Sequence, residues 1–282
     1  MSIEIKNLNH IYDPDSPFFV AALENVDFSV SDGEFVSVIG HTGSGKSTLV
    51  QHLNGILKAT SADKMVIENI DLLVKKPDYK TLRQRVGMVF QYPEYQLFAE
   101  TVALDIGFGP KNMGLSESEI EFRVKEAMEL VKLPENLREM SPFELSGGQK
   151  RRAAIAGVLS MRPKVLVLDE PIAGLDPLGK AEILSVIEDY HKNYNATIIM
   201  ISHNMDDIAE ISDRVVVMNK GRKCLDDIPE NVFENKDKIL ELGLELPTVS
   251  RLVHEMNERG KNIPTNICKI DKFVEYLSGG TK

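Results

Sequence analysis

Apolar and polar positions alternate at the start of the chain. Ile3 and Ile5 are separated by a polar residue, and Val26, Phe28 and Val30 repeat the pattern, the period of half-buried antiparallel strands. Glu34–Ile39 is a short apolar run ending at a glycine, as a buried strand would be. A helix is predicted from Ser47 to about Gly55, and residues 81–90, ending in Val86-Gly-Met-Val-Phe90, are predicted as a strand. Between about 96 and 160 the spacing turns helical: Ile120, Val124, Ala127, Met128 and Val131 share one face, and Pro134 stops that helix. Strand and helix then alternate: Lys164–Leu168, a helix from Leu178 to Tyr190, Thr197–Ser202, a short helix near Met205–Ile211, and Arg214–Asn219. Such alternation predicts parallel strands flanked by helices. Near the end, Val249, Leu252, Val253 and Met256 line one helix face and Ile270, Phe273, Val274 and Leu277 another. Both faces are expected to pack back on the core.

Length and charge narrow the classes. At 282 residues, one large domain with an appendage is expected, on a scale of roughly 100–200 residues per domain. The net charge of −10, with no long basic run, argues against nucleic acid as a partner. The longest apolar runs, such as Val165–Leu168 and Ile198–Ile201, fall far short of the ~20 residues of a membrane-spanning helix. Met1-Ser-Ile-Glu-Ile-Lys lacks the basic and apolar regions of a signal peptide. Cys224 and Cys268 are too few for a disulfide framework or a zinc site. The expectation is a cytosolic chain that reaches a membrane only through a partner.

The candidate chemistry begins at Gly40-His41-Thr42-Gly43-Ser44-Gly45-Lys46-Ser47-Thr48, which matches the P-loop pattern. Its glycines let backbone N–H groups curl round phosphate oxygens. Lys46 supplies a point charge to the β and γ phosphates, Ser47 offers a hydroxyl to magnesium, and the following helix points its positive end at the ligand. Downstream, the apolar run Val165–Leu168 ends in Asp169 and Glu170. There Asp169 is placed to hold magnesium through water, and Glu170 to polarise an attacking water. His203 follows the next apolar strand, where it could meet a γ-phosphate. Gln91 follows Phe90 and could bind both magnesium and the nucleophilic water.

Leu145-Ser146-Gly147-Gly148-Gln149 is a second set of open backbone amides ahead of a helix. One triphosphate held by the P-loop has little use for it, so it is expected to serve a nucleotide held by another subunit. With this feature the sequence resembles the ATP-binding cassette ATPases over residues 1–225. In order it matches their P-loop, glutamine loop (Gln91), signature (Leu145–Gln149), acid strand with catalytic glutamate (Asp169, Glu170), Gly174-Leu-Asp176 loop and switch histidine (His203). Tyr12 matches the family's adenine-stacking aromatic. Ile172 departs from the pattern, since many members have threonine there. The resemblance implies an α/β fold: a P-loop NTPase (RecA-like) core with an N-terminal antiparallel β subdomain, an inserted helical subdomain (about 96–160) and a small C-terminal helical extension (226–282). It also implies ATP and magnesium as cofactors, and a head-to-tail dimer enclosing two ATP molecules between P-loops and signatures.

Gln91-Tyr-Pro-Glu94-Tyr-Gln96-Leu-Phe98-Ala-Glu100-Thr-Val102, Phe108-Gly-Pro-Lys-Asn112 and Arg151-Arg-Ala-Ala-Ile-Ala-Gly157 are similar to segments of energy-coupling factor transporter ATPases, and to the second of their two paralogues. That resemblance implies a sister ATPase as heterodimer partner, a transmembrane coupling subunit, interchangeable substrate-binding membrane subunits, and a peripheral place on the cytoplasmic face of the membrane. The extension is then a dimer contact. The coupling subunit is expected to dock near residues 92–108, with Leu97 and Phe98 giving apolar contact and Glu94 and Glu100 meeting basic side chains. The alternative is the ATPase of a conventional importer with an extracellular binding protein.

Overall fold

The structure is a computed structural model that describes residues 1–279; positions 280–282 of the expected extension lie outside the described residues. Among the described residues ten strands form two sheets. β1 (Ile3–Tyr12), β2 (Val20–Val30), β4 (Lys64–Ile67) and β5 (Ile70–Asp71) make an antiparallel sheet in the order β2-β1-β4-β5. The other six are β3 (Phe35–Ile39), β6 (Val86–Val89), β7 (Val165–Asp169), β8 (Thr197–Ile201), β9 (Arg214–Asn219) and β10 (Arg222–Asp227), in the order β10-β9-β3-β8-β7-β6. All these pairings are parallel except the edge pair β9–β10.

β3, β6, β7 and β8 are buried at every position, as continuous apolar runs in a covered parallel sheet must be. One core fills the space between the two sheets and the helix Lys46–Leu53, with Ile3, Ile5, Phe28, Leu49 and Val167 among its members. On the other side of the central sheet, Val124, Met128, Ile155, Leu166 and Ile187 join the helices of residues 102–159 to the helix Pro177–Tyr194. A third core joins β9 and the end of β3 to the helix Met205–Ile211 before β9 and to the helices after β10.

Residues 81–90 depart from the expected strand. Asp78 caps a helix over Tyr79–Arg85 by accepting the Thr81 N–H at 3.0 Å, and only Val86–Val89 extend as β6. Leu82 is the one buried residue of this helix, with Arg83 exposed and Arg85 half-buried, so the segment carries little periodic signal of its own. The extension departs too. The helix Thr248–Glu258 buries Val249 and Val253, and Phe273 joins them from the helix Ile270–Leu277. Ile270, Val274 and Leu277 nevertheless stay more than half exposed. Among the described residues the second apolar face therefore packs back through Phe273 and leaves its other three positions open.

A buried histidine pair fastens the helix Lys46–Leu53 to β1. His52 Nδ1 lies 2.7 Å from the Thr48 carbonyl and therefore donates to it, which leaves Nε2 to accept from His10 Nδ1 at 3.2 Å. Burial pushes His52 down to about 4, with the neighbouring His10 adding to the effect and hydrogen bonds to the Thr48 and Lys58 carbonyls opposing it. The unfolded chain, at the ordinary value of 6.5, binds this proton first. The contribution of His52 is thus complete above pH 6.5 and lost as pH falls from there through about 4. Between pH 7.5 and 5.5 His52 alone should cost about 1 kcal/mol of stability. In His52→Gln, which keeps a donor and an acceptor, that part of the acid sensitivity should vanish in melting curves recorded at the two pH values. An unchanged gap between wild type and variant would refute the assignment.

Candidate active site

Register sets the site. Val89 lies level with Leu168, Asp169 with Ile201, and Ile201 with Val38. The chain therefore leaves four neighbouring parallel strands at nearly one height, on the carboxyl edge where open α/β sheets bind ligands. Gln91 emerges beyond β6, Asp169 and Glu170 at the end of β7, His203 beyond β8, and the Gly40–Ser47 loop beyond β3.

Backbone clearance explains the loop's glycines. A Cβ at Gly40 would fall 2.3 Å from the Met218 carbonyl, and one at Gly45 2.7 Å from that of Ala22, with φ at +101°. Gly43 faces open space on the side a ligand would occupy. Lys46 is buried, and its Nζ donates to the carbonyls of Gly40 (2.7 Å) and His41 (3.0 Å). His41 Nε2 lies 2.8 Å from the Asn219 side chain, tying the loop to the end of β9. Thr42 and Ser47 are exposed, whereas Ser44 is fully buried with its hydroxyl unpartnered. Tyr12 packs edge-on against His10 with ring centres 4.6 Å apart, and its hydroxyl lies 3.2 Å from Thr48 Oγ1.

Burial pushes Lys46 down, opposed by the charges of Glu170 and Asp169. Burial also pushes Asp169 up, as does Glu170, while a hydrogen bond from Ser47 and the Lys46 charge resist. An acid held this far from water beside a hydroxyl is relieved by a cation, so Ser47 and Asp169 fit a magnesium ion whose other ligands would be phosphate oxygens and water. Glu170 adopts the left-handed region (φ 51°), its N–H anchored to the Ile201 carbonyl at 3.1 Å. Its carboxylate meets His203 Nε2 at 2.9 Å and accepts the Gln91 amide at 3.2 Å. The structure thus gathers Gln91, Glu170 and His203 around one carboxylate.

Ser146 caps the helix Gly147–Leu159. Its hydroxyl accepts the Gln149 N–H, and the Gln149 side chain reaches back to the Ser146 N–H at 2.9 Å. Gln149 is thereby committed to the cap, while Gly147 and Gly148 open onto free space. A cavity of about 400 Å³ beside this helix is lined by Gly148, Arg151, Gly174 and Asp176, and by no residue of the Gly40–Ser47 loop. Asp176 caps the helix Pro177–Tyr194 by accepting the Gly179 N–H at 2.8 Å. Ile172, the departure from the family pattern, packs against the apolar core.

The region expected to meet a membrane partner is a groove of about 600 Å³, lined among others by Tyr79, Met88, Leu97, Phe98, Phe108 and Val158. Phe98 is exposed and stands edge-on to Phe108, with ring centres 4.9 Å apart. One expectation fails here. Leu97, 6% exposed, still lines the groove, but Glu94 is already bound by Arg151 of the same chain at 2.9 Å. Arg151 was overlooked as one of three successive basic residues on a helix. Its spacing to Ile155 and Leu159, both buried, marks it as inward-facing.

The model of the ABC transporter family matches residues 23–173. The chain is 53% identical over 278 residues to the energy-coupling factor transporter ATP-binding protein EcfA2 of Clostridium tetani, covering 98% of this chain and 96% of that one. It is 51% identical over 277 residues to the EcfA2 of Caldanaerobacter subterraneus, with the same coverage. Among solved structures, cbiO1 of Clostridium perfringens, part of the ABC transporter complex cbiONQ, superposes with a TM-score of 0.73 at 39% identity, covering 90% of this chain and 98% of that one. A dimeric post-hydrolysis state of the ATP-binding cassette MJ0796 with ADP and phosphate superposes with a TM-score of 0.71 at 25% identity, over 80% and 98% of the two chains. These relatives favour the energy-coupling factor reading over a conventional importer. The chain belongs to the ATP-binding cassette family, and within it to the ATP-binding subunits of energy-coupling factor transporters.

Proposed function

We propose that the chain binds ATP on the Gly40–Ser47 loop and hydrolyses it with Glu170 as general base, driving uptake of a vitamin or other micronutrient. The observation that carries this reading is the convergence of Gln91 and His203 on the Glu170 carboxylate, at the sheet edge that also bears Lys46. Lys46 and the loop amides receive the β and γ phosphates, and Tyr12 stacks on the base. Ser47, Asp169 and Gln91 would hold magnesium, which would neutralise phosphate charge. Glu170 takes the proton of the attacking water, while Gln91 and His203 fix the carboxylate and sense the γ-phosphate.

The exposed Gly147 and Gly148, the latter lining a cavity apart from the P-loop, are read as a half-site for ATP held by a sister subunit, as a heterodimer requires. The groove around Phe98 and Phe108 is read as the seat of a transmembrane coupling subunit that works with substrate-binding membrane subunits. This keeps the chain peripheral, on the cytoplasmic face. No helix among the described residues is long and apolar enough to cross a membrane, which agrees with that place.

Glu170→Gln should bind ATP within about twofold of wild type yet lose roughly 100-fold or more in turnover, and should accumulate as an ATP-bound dimer on size exclusion. Near-normal hydrolysis would refute the base assignment. Lys46→Ala should instead weaken ATP binding by roughly 10–100-fold, the worth of a charge-assisted contact. Titration calorimetry separates the two. Phe98→Asp should retain ATP affinity but lose roughly tenfold or more of its membrane-partner recovery in tagged pull-downs from membranes; full recovery would exclude the groove.

A further inference from the structure

The guanidinium of Arg151 is one of the most heavily engaged groups in the molecule, and the proposed chemistry does not use it. It sits one turn into the helix that Ser146 caps, with 3% of the residue exposed. Nε and one terminal nitrogen grip both oxygens of Glu94, at 3.1 and 2.9 Å. The other terminal nitrogen donates to the carbonyls of Pro171 (3.3 Å) and Ala173 (2.6 Å). The ring of Tyr92 covers the guanidinium at 5.9 Å. Burial pushes the Glu94 carboxyl up, but the bonds from Arg151 outweigh it and hold the group below its ordinary value.

Each partner lies beside a candidate site residue. Tyr92 and Glu94 belong to the turn directly after Gln91, and Pro171 and Ala173 directly follow Glu170. The helix itself opens at Ser146, Gly147 and Gly148. Gln96 and Phe98, at the far end of the Glu94 turn, line the 600 Å³ groove. A buried fork that satisfies four acceptors at once has no alternative geometry of equal energy, so the segments it joins shift together.

We propose that Arg151 is a positioning residue that locks the glycine-led helix to the Gln91 and Glu170 segments, so that engagement of a partner's nucleotide at Ser146–Gly148 adjusts the hydrolytic carboxylate of this chain's own site. The proposal deepens the hydrolytic reading above and rests on it. Lysine at 151 would keep the charge but could not hold Glu94 in a fork and two carbonyls together. The P-loop half of the site is untouched by Arg151, so ATP affinity and turnover should separate.

In the full-length ATPase dimer, Arg151→Lys should leave the ATP dissociation constant within about twofold and lower kcat by roughly 10–100-fold, the scale of a small misplacement of catalytic groups. Glu94→Gln, which preserves shape, should show the same split more mildly and carries the test if Arg151→Lys does not fold. The double variant should be no slower than the worse single one, because both changes break one link. Wild-type hydrolysis that disappears in Glu170→Gln secures the site reading beforehand. Against that control, unchanged kcat in both single variants, additive losses in the double, or a fall in ATP affinity that tracks the fall in kcat would overturn the linkage.

Discussion

Two opposite charges buried at one sheet edge are the constraint on which the site depends. Lys46 and Asp169 are each less than a tenth exposed, one on the helix after β3 and the other closing β7. Desolvation drives each toward its neutral form, and their mutual attraction offsets only part of that cost. A polyphosphate with its magnesium would supply an anion to the lysine and a cation to the aspartate in one event. The edge is therefore least comfortable without the ligand that its shape admits. The apolar strands beneath make that discomfort possible, because Val165–Leu168 and Phe35–Ile39 exclude water right up to the ionisable residues.

The second glycine cradle obeys a different physics. Gly147 and Gly148 lie at an exposed helix start, held open by a reciprocal cap between Ser146 and Gln149. Nothing there is strained or buried, so the cradle stores no penalty for a ligand to relieve. Its contribution to a shared nucleotide would come from helix-end polarity alone, which is modest unless a closing partner excludes water. An affinity that appears only on closure suits a part meant to report that a second subunit has arrived.

Much of this was legible because the chemistry of phosphate binding demands particular residues at fixed spacing. Gly40–Ser47, the acid pair and Ser146–Gly148 announce themselves, and the apolar runs before them place them on a parallel sheet. The helix over Tyr79–Arg85 was hidden because seven residues with one buried leucine carry too little periodicity to compete with the strand that follows. Glu94 misled for another reason. An acid in a tyrosine-rich loop reads as free to meet a basic group of another subunit, and its partner lies 57 positions away in the same chain, a pairing that only tertiary structure creates. His52 was likewise silent, since nothing local distinguishes a helix histidine that donates to its own i−4 carbonyl from an exposed one.

The turn from Gln91 to Phe98 brings these elements to a point. One end touches the Glu170 carboxylate, the other lines the groove read as the membrane partner's seat, and Glu94 is clamped between them. A short segment fixed at its middle by a buried ion pair behaves as a lever and not as a hinge, since close-packed interiors transmit displacement and resist deforming. Pushing on Phe98 must then either move Gln91 or break the clamp, and breaking it would strand Arg151 or Glu94 as an unpaired buried charge, at a cost of several kcal/mol. The cheaper response is movement of the whole turn. A partner's contact in the groove would thus be converted into a change at the carboxylate by the expense of the alternative, with no need for a flexible relay.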